Sequence, residues 1–261
     1  MASEYLTVDV DDGVGRIGMD RPERYNAMNE SMAADLASAL DEAAADDAVR
    51  CLLLTGTEGA FNTGADLSTF EGDETDADRL NGIATPLHEA VRTLTEAPKP
   101  VVTGVNGVVA GGGLGLAIAG DVVILSDAAR FEYAYPKLGL SGDGGATWLL
   151  PRLVGLRRAQ RFALLDEPVD AATAVEWGLA TESVPADEFE ERLETVATDL
   201  ATGPTLAYAE IRTLLSEGYD RDLVAHLDVE KDVLTGLTET DDYSAGLRGF
   251  LEKEQPTFDG R

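Results

Sequence analysis

The sequence predicts an α/β fold with a helical C-terminal region, on three observations. Short apolar runs typical of strands alternate with helical segments through the first half of the chain. From Ala146 onward, helical spacing of apolar residues dominates. No linker separates the two parts, and no internal repeat is visible. We therefore expect a mixed core over residues 1–190 and a helical region over residues 191–261 of the same domain.

The elements before residue 99 are predicted from alternating polarity in strands and from residues that cap or end helices. Residues 5–10 and 15–19 alternate in polarity around Asp11-Asp12-Gly13, which predicts a hairpin. Asn29 is expected to cap a helix over residues 30–45. Further predictions are a strand over 49–54, a glycine-containing loop over 55–66, an acidic mobile stretch over 67–78 and a helix over 79–95.

The central segment, residues 99–121, has the sequence KPVVTGVNGVVAGGGLGLAIAGD. It predicts strands over 101–105 and 108–110, three glycines, and a buried helix over 114–119. The first N–H groups of such a helix lack partners and lie at the positive end of its dipole, where an oxyanion is stabilised. Alternatively, the glycines could have no role in binding and could only allow the helix to pack closely against the sheet. A dinucleotide fingerprint is excluded because Ile118 stands where a third small residue is needed.

The later elements are short strands followed by helices. We expect strands over 122–126 and 130–133, and helices from residue 146 and over 159–165, 171–177, 188–200, 205–216 and 221–235.

The charge balance is strongly acidic. Asp and Glu number 49 against 20 Lys and Arg, giving a net charge of −29 that is spread along the whole chain. A uniformly acidic surface suggests adaptation to high salt and disfavours nucleic acid and anionic membranes as partners. The single cysteine, Cys51, excludes a disulfide framework. Without a long apolar run or a signal-peptide pattern, the chain is expected to be cytoplasmic.

Four segments in the same order resemble the enoyl-CoA hydratase/isomerase (crotonase) family. They are the central segment, FNTGADL at 61–67, FEYAYPKLGLSGDGGATWLLPRLVG at 131–155 and FLEKEQPTF at 250–258. The resemblance covers nearly the whole chain. It implies a spiral of strand–strand–helix turns (the ClpP/crotonase-like fold), acyl-CoA thioester substrates, and a helical C-terminal region that builds a homotrimer or a dimer of trimers. It implies no metal and no cofactor beyond the coenzyme A of the substrate.

By this resemblance, the N–H groups of Ala65 and Gly112 stabilise the thioester oxyanion. Asp143 matches an aspartate of phenylacetate-pathway enoyl-CoA isomerases, which implies double-bond isomerisation with Asp143 as the single acid/base. In isolation, Asp143 could equally cap the helix beginning near residue 146. Gly115 and Tyr135 stand where hydratases carry two glutamates, which argues against hydration. Glutamates at both positions would introduce hydratase activity only if the pocket shape allowed it.

Two alternatives remain besides hydration. In 4-chlorobenzoyl-CoA dehalogenase an aspartate at the position of Asp143 is the nucleophile, and a histidine matching His88 is its base. That enzyme carries tryptophan where Tyr135 stands. The chain could also bind acyl-CoA without turnover.

Contacts to the CoA-linked substrate are also implied by the resemblance. They fall on the loop containing Arg24, Tyr25 and Ala27, and on residues 65–68, which include Asp66, Leu67 and Ser68. Tyr135 is expected only to line the acyl pocket. Lys253 resembles a phosphate-contacting lysine near a neighbouring subunit. Glu132 is expected to be a solvent-facing acid without a catalytic role.

Overall fold

The strands form two sheets in this computed structural model, which describes residues 3–261. A six-stranded sheet has the order β1-β2-β3-β5-β7-β10, and a four-stranded sheet has the order β4-β6-β8-β9. The strands are β1 (Leu6–Asp11), β2 (Val14–Met19), β3 (Cys51–Gly56), β4 (Ala60–Asn62), β5 (Val101–Val105), β6 (Val108–Ala110), β7 (Val122–Ser126), β8 (Arg130–Glu132), β9 (Val169–Asp170) and β10 (Glu182–Val184).

Helices flank and follow the sheets. The α-helices are α1 (Glu30–Ala45), α2 (Asp76–Glu96), α3 (Gly113–Ile118), α4 (Ala146–Leu165), α5 (Ala171–Trp177), α6 (Phe189–Ala201), α7 (Thr205–Glu217), α8 (Leu223–Leu237) and α9 (Asp241–Glu252). The helix α4 is kinked at Gly155, where φ is +75°. Within residues 3–261, no helix is both long and apolar enough to span a bilayer.

The chain alternates between the two sheets. Strands β3, β5 and β7 pair in parallel in the large sheet, and the strand that follows each of them, β4, β6 or β8, pairs in parallel in the small sheet. A helix follows each strand pair: α2, α3 and α4. This is the expected spiral of strand–strand–helix turns. The hairpin β1–β2 adds an antiparallel edge to the large sheet.

The large sheet is covered on both faces. One face, with Leu52 and Leu54, belongs to the main apolar core with α1 and α2. The opposite face, with Cys51 and Leu53, packs under Phe189 of α6 and its neighbours. Burial raises the pKa of the Cys51 thiol to about 12, so this cysteine is an inert core residue.

The predictions for the longer elements are confirmed, and those for several short ones are wrong. The hairpin, α1 with its Asn29 cap, β5, β6, β7 and α5 lie where expected. The predicted loop over 55–66 contains β4, and the acidic stretch over 67–78 contains a 3-10 helix (Leu67–Thr69) and the start of α2. Strands of two or three residues are too short to show alternation, and β4, β9 and β10 were not predicted. The three-residue β6 was predicted because it forms a short apolar run directly before the three glycines. The helix α9 was also missed.

The proposed boundary at residue 190 falls inside α6, which packs on the large sheet. The division of the chain into residues 1–190 and 191–261 stays a prediction.

Candidate active site

Two free backbone N–H groups face one cavity. Gly112 ends the connection from β6 and is the N-cap of α3, with a φ of −60°. Ala65 follows β4 and forms an isolated parallel bridge with Met28. That bridge uses the neighbours of Ala65: Met28 N–H donates to Gly64 at 2.7 Å, and Asp66 N–H donates to Met28 at 2.8 Å. Within residues 3–261, neither Ala65 N–H nor Gly112 N–H donates to a protein acceptor, so both are free for an oxyanion.

Glycines let the two donor segments touch. Gly64 has a φ of +84°, and a Cβ there would lie 3.0 Å from the Gly112 nitrogen. Gly111, with a φ of +52°, brings its backbone against Gly64 in turn. A side chain at residue 64 would therefore be strained and would crowd the second donor.

A buried ion pair fixes the loop that carries Ala65. Asp66 is buried, and its Oδ2 lies 2.8 Å from the Arg21 guanidinium, while its Oδ1 accepts from Ser68 N–H at 3.0 Å. Arg21 also donates to the carbonyl of Ala27 at 2.8 Å. Burial alone would raise the pKa of Asp66, but the hydrogen bonds from Ser68 and the charge of Arg21 outweigh it and hold that pKa below its usual value.

The sequence analysis missed Arg21. Arg21 and its partner Asp66 are far apart in the sequence, so no local spacing or periodicity connects them. No sequence signal distinguishes Arg21 from a surface arginine.

The donors line a cavity of about 150 Å³ with a mostly apolar wall. Asp143 and Tyr135 close it opposite the helix α2. The other lining residues are Met28, Thr63, Leu67, Leu80, Ile83, Ala84, Leu87, Gly111, Ala134, Leu138 and Leu140. The structure thus brings five of the residues named from the resemblance to one cavity: Ala65, Gly112, Asp143, Tyr135 and Leu67.

Asp143 lies in the turn before α4, and its carboxylate does not cap that helix. The backbone carbonyl of Asp143 accepts from Ala146 N–H at 3.1 Å, whereas no side chain caps α4. The carboxylate Oδ1 instead accepts a hydrogen bond from the Tyr135 hydroxyl. The Oδ2 lies 3.8 Å from His88 Nε2. The helix-cap interpretation of Asp143 is therefore wrong for its side chain.

His88 is half-exposed and lies outside the small cavity. Together with Asp143 it lines a second, open cavity of about 830 Å³ between α2, α4 and α7. Among residues 3–261, Asp143 is the residue that lines both cavities, so it lies where the small apolar pocket adjoins the larger, open one.

Gly115 leaves no room for a glutamate. A Cβ at this buried position of α3 would lie 1.6 Å from the carbonyl oxygen of Gly144. The turn that carries Asp143 therefore fills the space that a side chain at residue 115 would need. The pocket shape therefore does not accommodate a glutamate at residue 115, so we do not expect glutamates at residues 115 and 135 to introduce hydratase activity.

The remaining predicted contacts lie at the rim or away from the cavity. Arg24 and Tyr25 are exposed, and Ala27 is buried beside them. Ser68 is exposed in the 3-10 helix. The carboxylate of Asp66 is already bound to Arg21 and Ser68, so only its backbone could contact a ligand. Lys253 is exposed at the end of α9 and does not line the cavity of its own chain.

Glu132 is not a solvent-facing acid. Its carboxylate lies 2.7 Å from Arg130 Nη2 and 3.0 Å from Lys137 Nζ, and its side chain is only 19% exposed. The prediction of a solvated surface residue is wrong because two cations cover it.

Comparisons with known proteins agree with this geometry. Residues 9–261 match the family model of enoyl-CoA hydratase/isomerase. The 1,2-epoxyphenylacetyl-CoA isomerase of Escherichia coli is 38% identical over 260 residues, 99% of each chain. A 4-chlorobenzoyl coenzyme A dehalogenase of Arthrobacter is 28% identical over 97% of this chain and 92% of its own.

Among solved structures, an enoyl-CoA hydratase from Bacillus anthracis superposes with a TM-score of 0.92 at 28% identity. The match covers 99% of this chain and 100% of that one. The resemblance identified in the sequence is thereby confirmed. The chain belongs to the enoyl-CoA hydratase/isomerase (crotonase) family and is an acyl-CoA-processing enzyme of that family.

Proposed function

We propose that this enzyme is an enoyl-CoA isomerase in which Asp143 is the single acid/base. One observation carries the proposal: among residues 3–261, Asp143 is the one carboxylate that lines the cavity holding both free N–H donors. The backbone of Gly144 fills the place of a second carboxylate at residue 115. Isomerisation needs one base, whereas hydration as this family performs it needs two carboxylates.

The proposed reaction begins with the thioester oxygen between the N–H groups of Ala65 and Gly112. Asp143 removes a proton from carbon 2 of a 3-enoyl thioester, and the C–H electrons form the enolate double bond. The two donors stabilise the oxyanion, each by about 3 kcal/mol. The dienolate then takes the proton back at carbon 4, which leaves a 2-enoyl thioester and regenerates the carboxylate. No other reactant is consumed.

The substrate is proposed to be an acyl-CoA thioester, with coenzyme A entering only as part of it. Arg24, Tyr25 and Ala27, and the segment 65–68, are proposed to contact the CoA portion at the cavity rim. Lys253 is proposed to contact a CoA phosphate from a neighbouring subunit, since it does not reach the cavity of its own chain. The 150 Å³ apolar cavity suits a compact acyl group such as a ring or short chain.

We further propose a homotrimer or a dimer of trimers. The helices α7, α8 and α9 expose large apolar side chains, among them Leu215, Leu234 and Phe250. Exposed apolar surface of this extent is typical of an interface. A cytoplasmic location stays a prediction.

A second candidate is hydrolytic dehalogenation with Asp143 as nucleophile and His88 as base. The observation that favours it is the 3.8 Å separation of His88 Nε2 from Asp143 Oδ2. Release of chloride from 4-chlorobenzoyl-CoA would support this candidate, and its absence would exclude it.

The deciding experiment compares wild type with Asp143→Asn on a 3-enoyl-CoA, followed by absorbance and mass. General base catalysis contributes about 10²–10⁴-fold, so kcat should fall by that order while KM changes little. Asp187→Asn, at an exposed aspartate before α6, is the matched control and should behave as wild type. Full turnover by Asp143→Asn would remove Asp143 from the mechanism. Binding without turnover by wild type would favour a non-catalytic acyl-CoA carrier.

A further inference from the structure

The Asp143 carboxylate is held by one side chain. The Tyr135 hydroxyl donates to Oδ1, and the carboxylate accepts no other hydrogen bond from residues 3–261. The ring of Tyr135 is buried, with 8% of the residue exposed. The Asp143 side chain itself is 33% exposed and therefore has room to turn.

The Tyr135 hydroxyl is itself fixed in place. Its ring packs edge-on against Tyr133, with the ring centroids 5.2 Å apart. The preceding residue, Ala134, adopts a left-handed conformation with a φ of +65°. Asp166 stabilises that conformation by accepting from Ala134 N–H at 2.8 Å. A left-handed backbone held by the partly buried Asp166 carboxylate aims the Tyr135 side chain at the cavity.

The two oxygens of Asp143 face different spaces. Oδ1 lies 3.6 Å from the point where a Cβ on Gly112 would stand, which places it on the side of the oxyanion donors. Oδ2 faces His88 and the open outer cavity. Gly142 and Gly144 flank the residue with positive φ values of +130° and +58°, so no neighbouring side chain restrains the carboxylate. The Tyr135 hydroxyl is the restraint.

We infer that Tyr135 is a positioning residue, whose hydroxyl keeps Oδ1 of the Asp143 carboxylate turned into the acyl pocket while Oδ2 faces His88. This inference rests on the proposed function, in which Asp143 is the base. It gives Tyr135 a role beyond lining the pocket.

Tyr135 could instead donate its own proton to the substrate as a general acid. The pKa of its hydroxyl argues against that role. Burial, and then the negative charge of Asp143, raise the pKa of Tyr135 above its usual value. A hydroxyl that holds its proton so firmly is a poor acid but a permanent hydrogen-bond donor. The restraint on Asp143 therefore persists over the whole working range of pH.

The test is Tyr135→Phe, which removes the hydroxyl and keeps the ring. We expect kcat on a 3-enoyl-CoA to fall about 10- to 100-fold with KM within about twofold, because binding is retained and the base is misplaced. In deuterated water, the product should also carry more deuterium than the wild-type product. A carboxylate turned towards the open cavity exchanges its proton before returning it.

Tyr133→Phe is the matched control. Tyr133 is also a buried tyrosine, but its hydroxyl donates to the Ser141 carbonyl at 2.6 Å and not to a carboxylate. It should change kcat less than about threefold and leave the deuterium content unchanged. Tyr135→Met, which fills the space without a donor, should reproduce the kcat loss of Tyr135→Phe. Thermal melting of each variant confirms that the folded enzyme is being compared.

The outcomes separate the inference from the proposed function. Turnover and deuterium content of Tyr135→Phe equal to those of Tyr133→Phe, while Asp143→Asn is inactive, would overturn the inference alone. Full turnover by Asp143→Asn would overturn the proposed function and the inference with it.

Discussion

At Gly115, one hydrogen atom in place of a side chain makes room for the Gly144 carbonyl. The Gly144 carbonyl occupies the position of a residue-115 side chain, and Gly144 belongs to the turn that presents Asp143. Gly144 itself lies close to α3, because a Cβ there would be 3.1 Å from the carbonyl oxygen of Gly112. The turn that places Asp143 in the pocket therefore also excludes a carboxylate side chain at residue 115.

We expect Gly115→Ala to destabilise the protein by about 3 kcal/mol or more. Overpacking a core commonly costs about 1–3 kcal/mol, and here the contact is with backbone that cannot rotate away. For a chain of this size, each kcal/mol lowers Tm by about 2–4 °C, which thermal melting resolves.

Gly236→Ala is the control for that measurement. Gly236 lies in α8 with open space around it, so the added methyl group should be neutral or slightly stabilising. Equal melting temperatures for the two variants would contradict the packing that the structure gives to Gly115.

The candidate backbone donors could be named from the sequence, and the side-chain pairs around them could not. Ala65 and Gly112 were implied by the resemblance of their two glycine-containing segments to the family. The bond from Tyr135 to Asp143 depends on the left-handed Ala134, and an alanine gives no sign of that conformation. Pairing of side chains across a turn is a property of geometry that periodicity does not encode.

At the scale of elements, the pair of Arg21 and Asp66 joins the connection after β2 to the one after β4. Asp66→Asn leaves the Arg21 guanidinium buried without its counter-charge, since the Arg21 side chain is only 12% exposed. Breaking a buried pair costs about 3–5 kcal/mol. We expect a loss of about that size at pH 7, measured by urea unfolding, and a lower kcat because Ala65 N–H is less well fixed.

The pH dependence of that loss has a defined sign. The pKa of Asp66 is lowered in the folded state, so its stabilising effect is fully present above the unfolded value of about 3.9. This stabilisation is lost as the pH falls through the pKa that Asp66 has in the folded protein. The gap between wild type and Asp66→Asn should therefore be constant above about pH 5 and should narrow below about pH 4.

Glu23→Gln is the matched control for the ion pair. Glu23 lies 3.6 Å from the same guanidinium, but its side chain is 66% exposed. Surface pairs contribute about 0–1 kcal/mol, so this variant should unfold as wild type does. If Glu23→Gln lowered the free energy of unfolding as much as Asp66→Asn does, burial of the Asp66 carboxylate would not explain the stability of the ion pair.

Long elements with one apolar face were predictable because their spacing repeats several times. The helix α1 buries Met32, Leu36 and Leu40 on one side, and its cap is a standard side chain. The strand β4 has three residues, all buried, and pairs with β6 across a register shift. Such a strand is specified by the sheet it joins and not by its own pattern.

At the scale of the whole molecule, the acidic charge opposes both compactness and assembly. The acidic residues exceed the basic ones by 29, and a trimer would bring three such chains together. The exposed apolar side chains of α7 to α9 favour association, and electrostatic repulsion opposes it. Salt concentration should therefore control how much of the protein is monomeric and how much is assembled, because salt screens the repulsion.

We expect Tm to rise steeply with KCl, and the oligomer to dissociate in dilute buffer. The screening length is about 30 Å at 0.01 M salt and about 3 Å at 1 M, so repulsion across a protomer is removed only at the higher concentration. Thermal melting and light scattering after size exclusion, both from 0.01 to 1 M KCl, measure the two effects. The control combines Asp187→Asn, Glu190→Gln and Glu191→Gln, which neutralise exposed acids at the start of α6. That variant should depend less on KCl than wild type, because fewer charges need screening. A wild-type Tm that stays flat across this range would show that the acidic surface is not an adaptation to high salt.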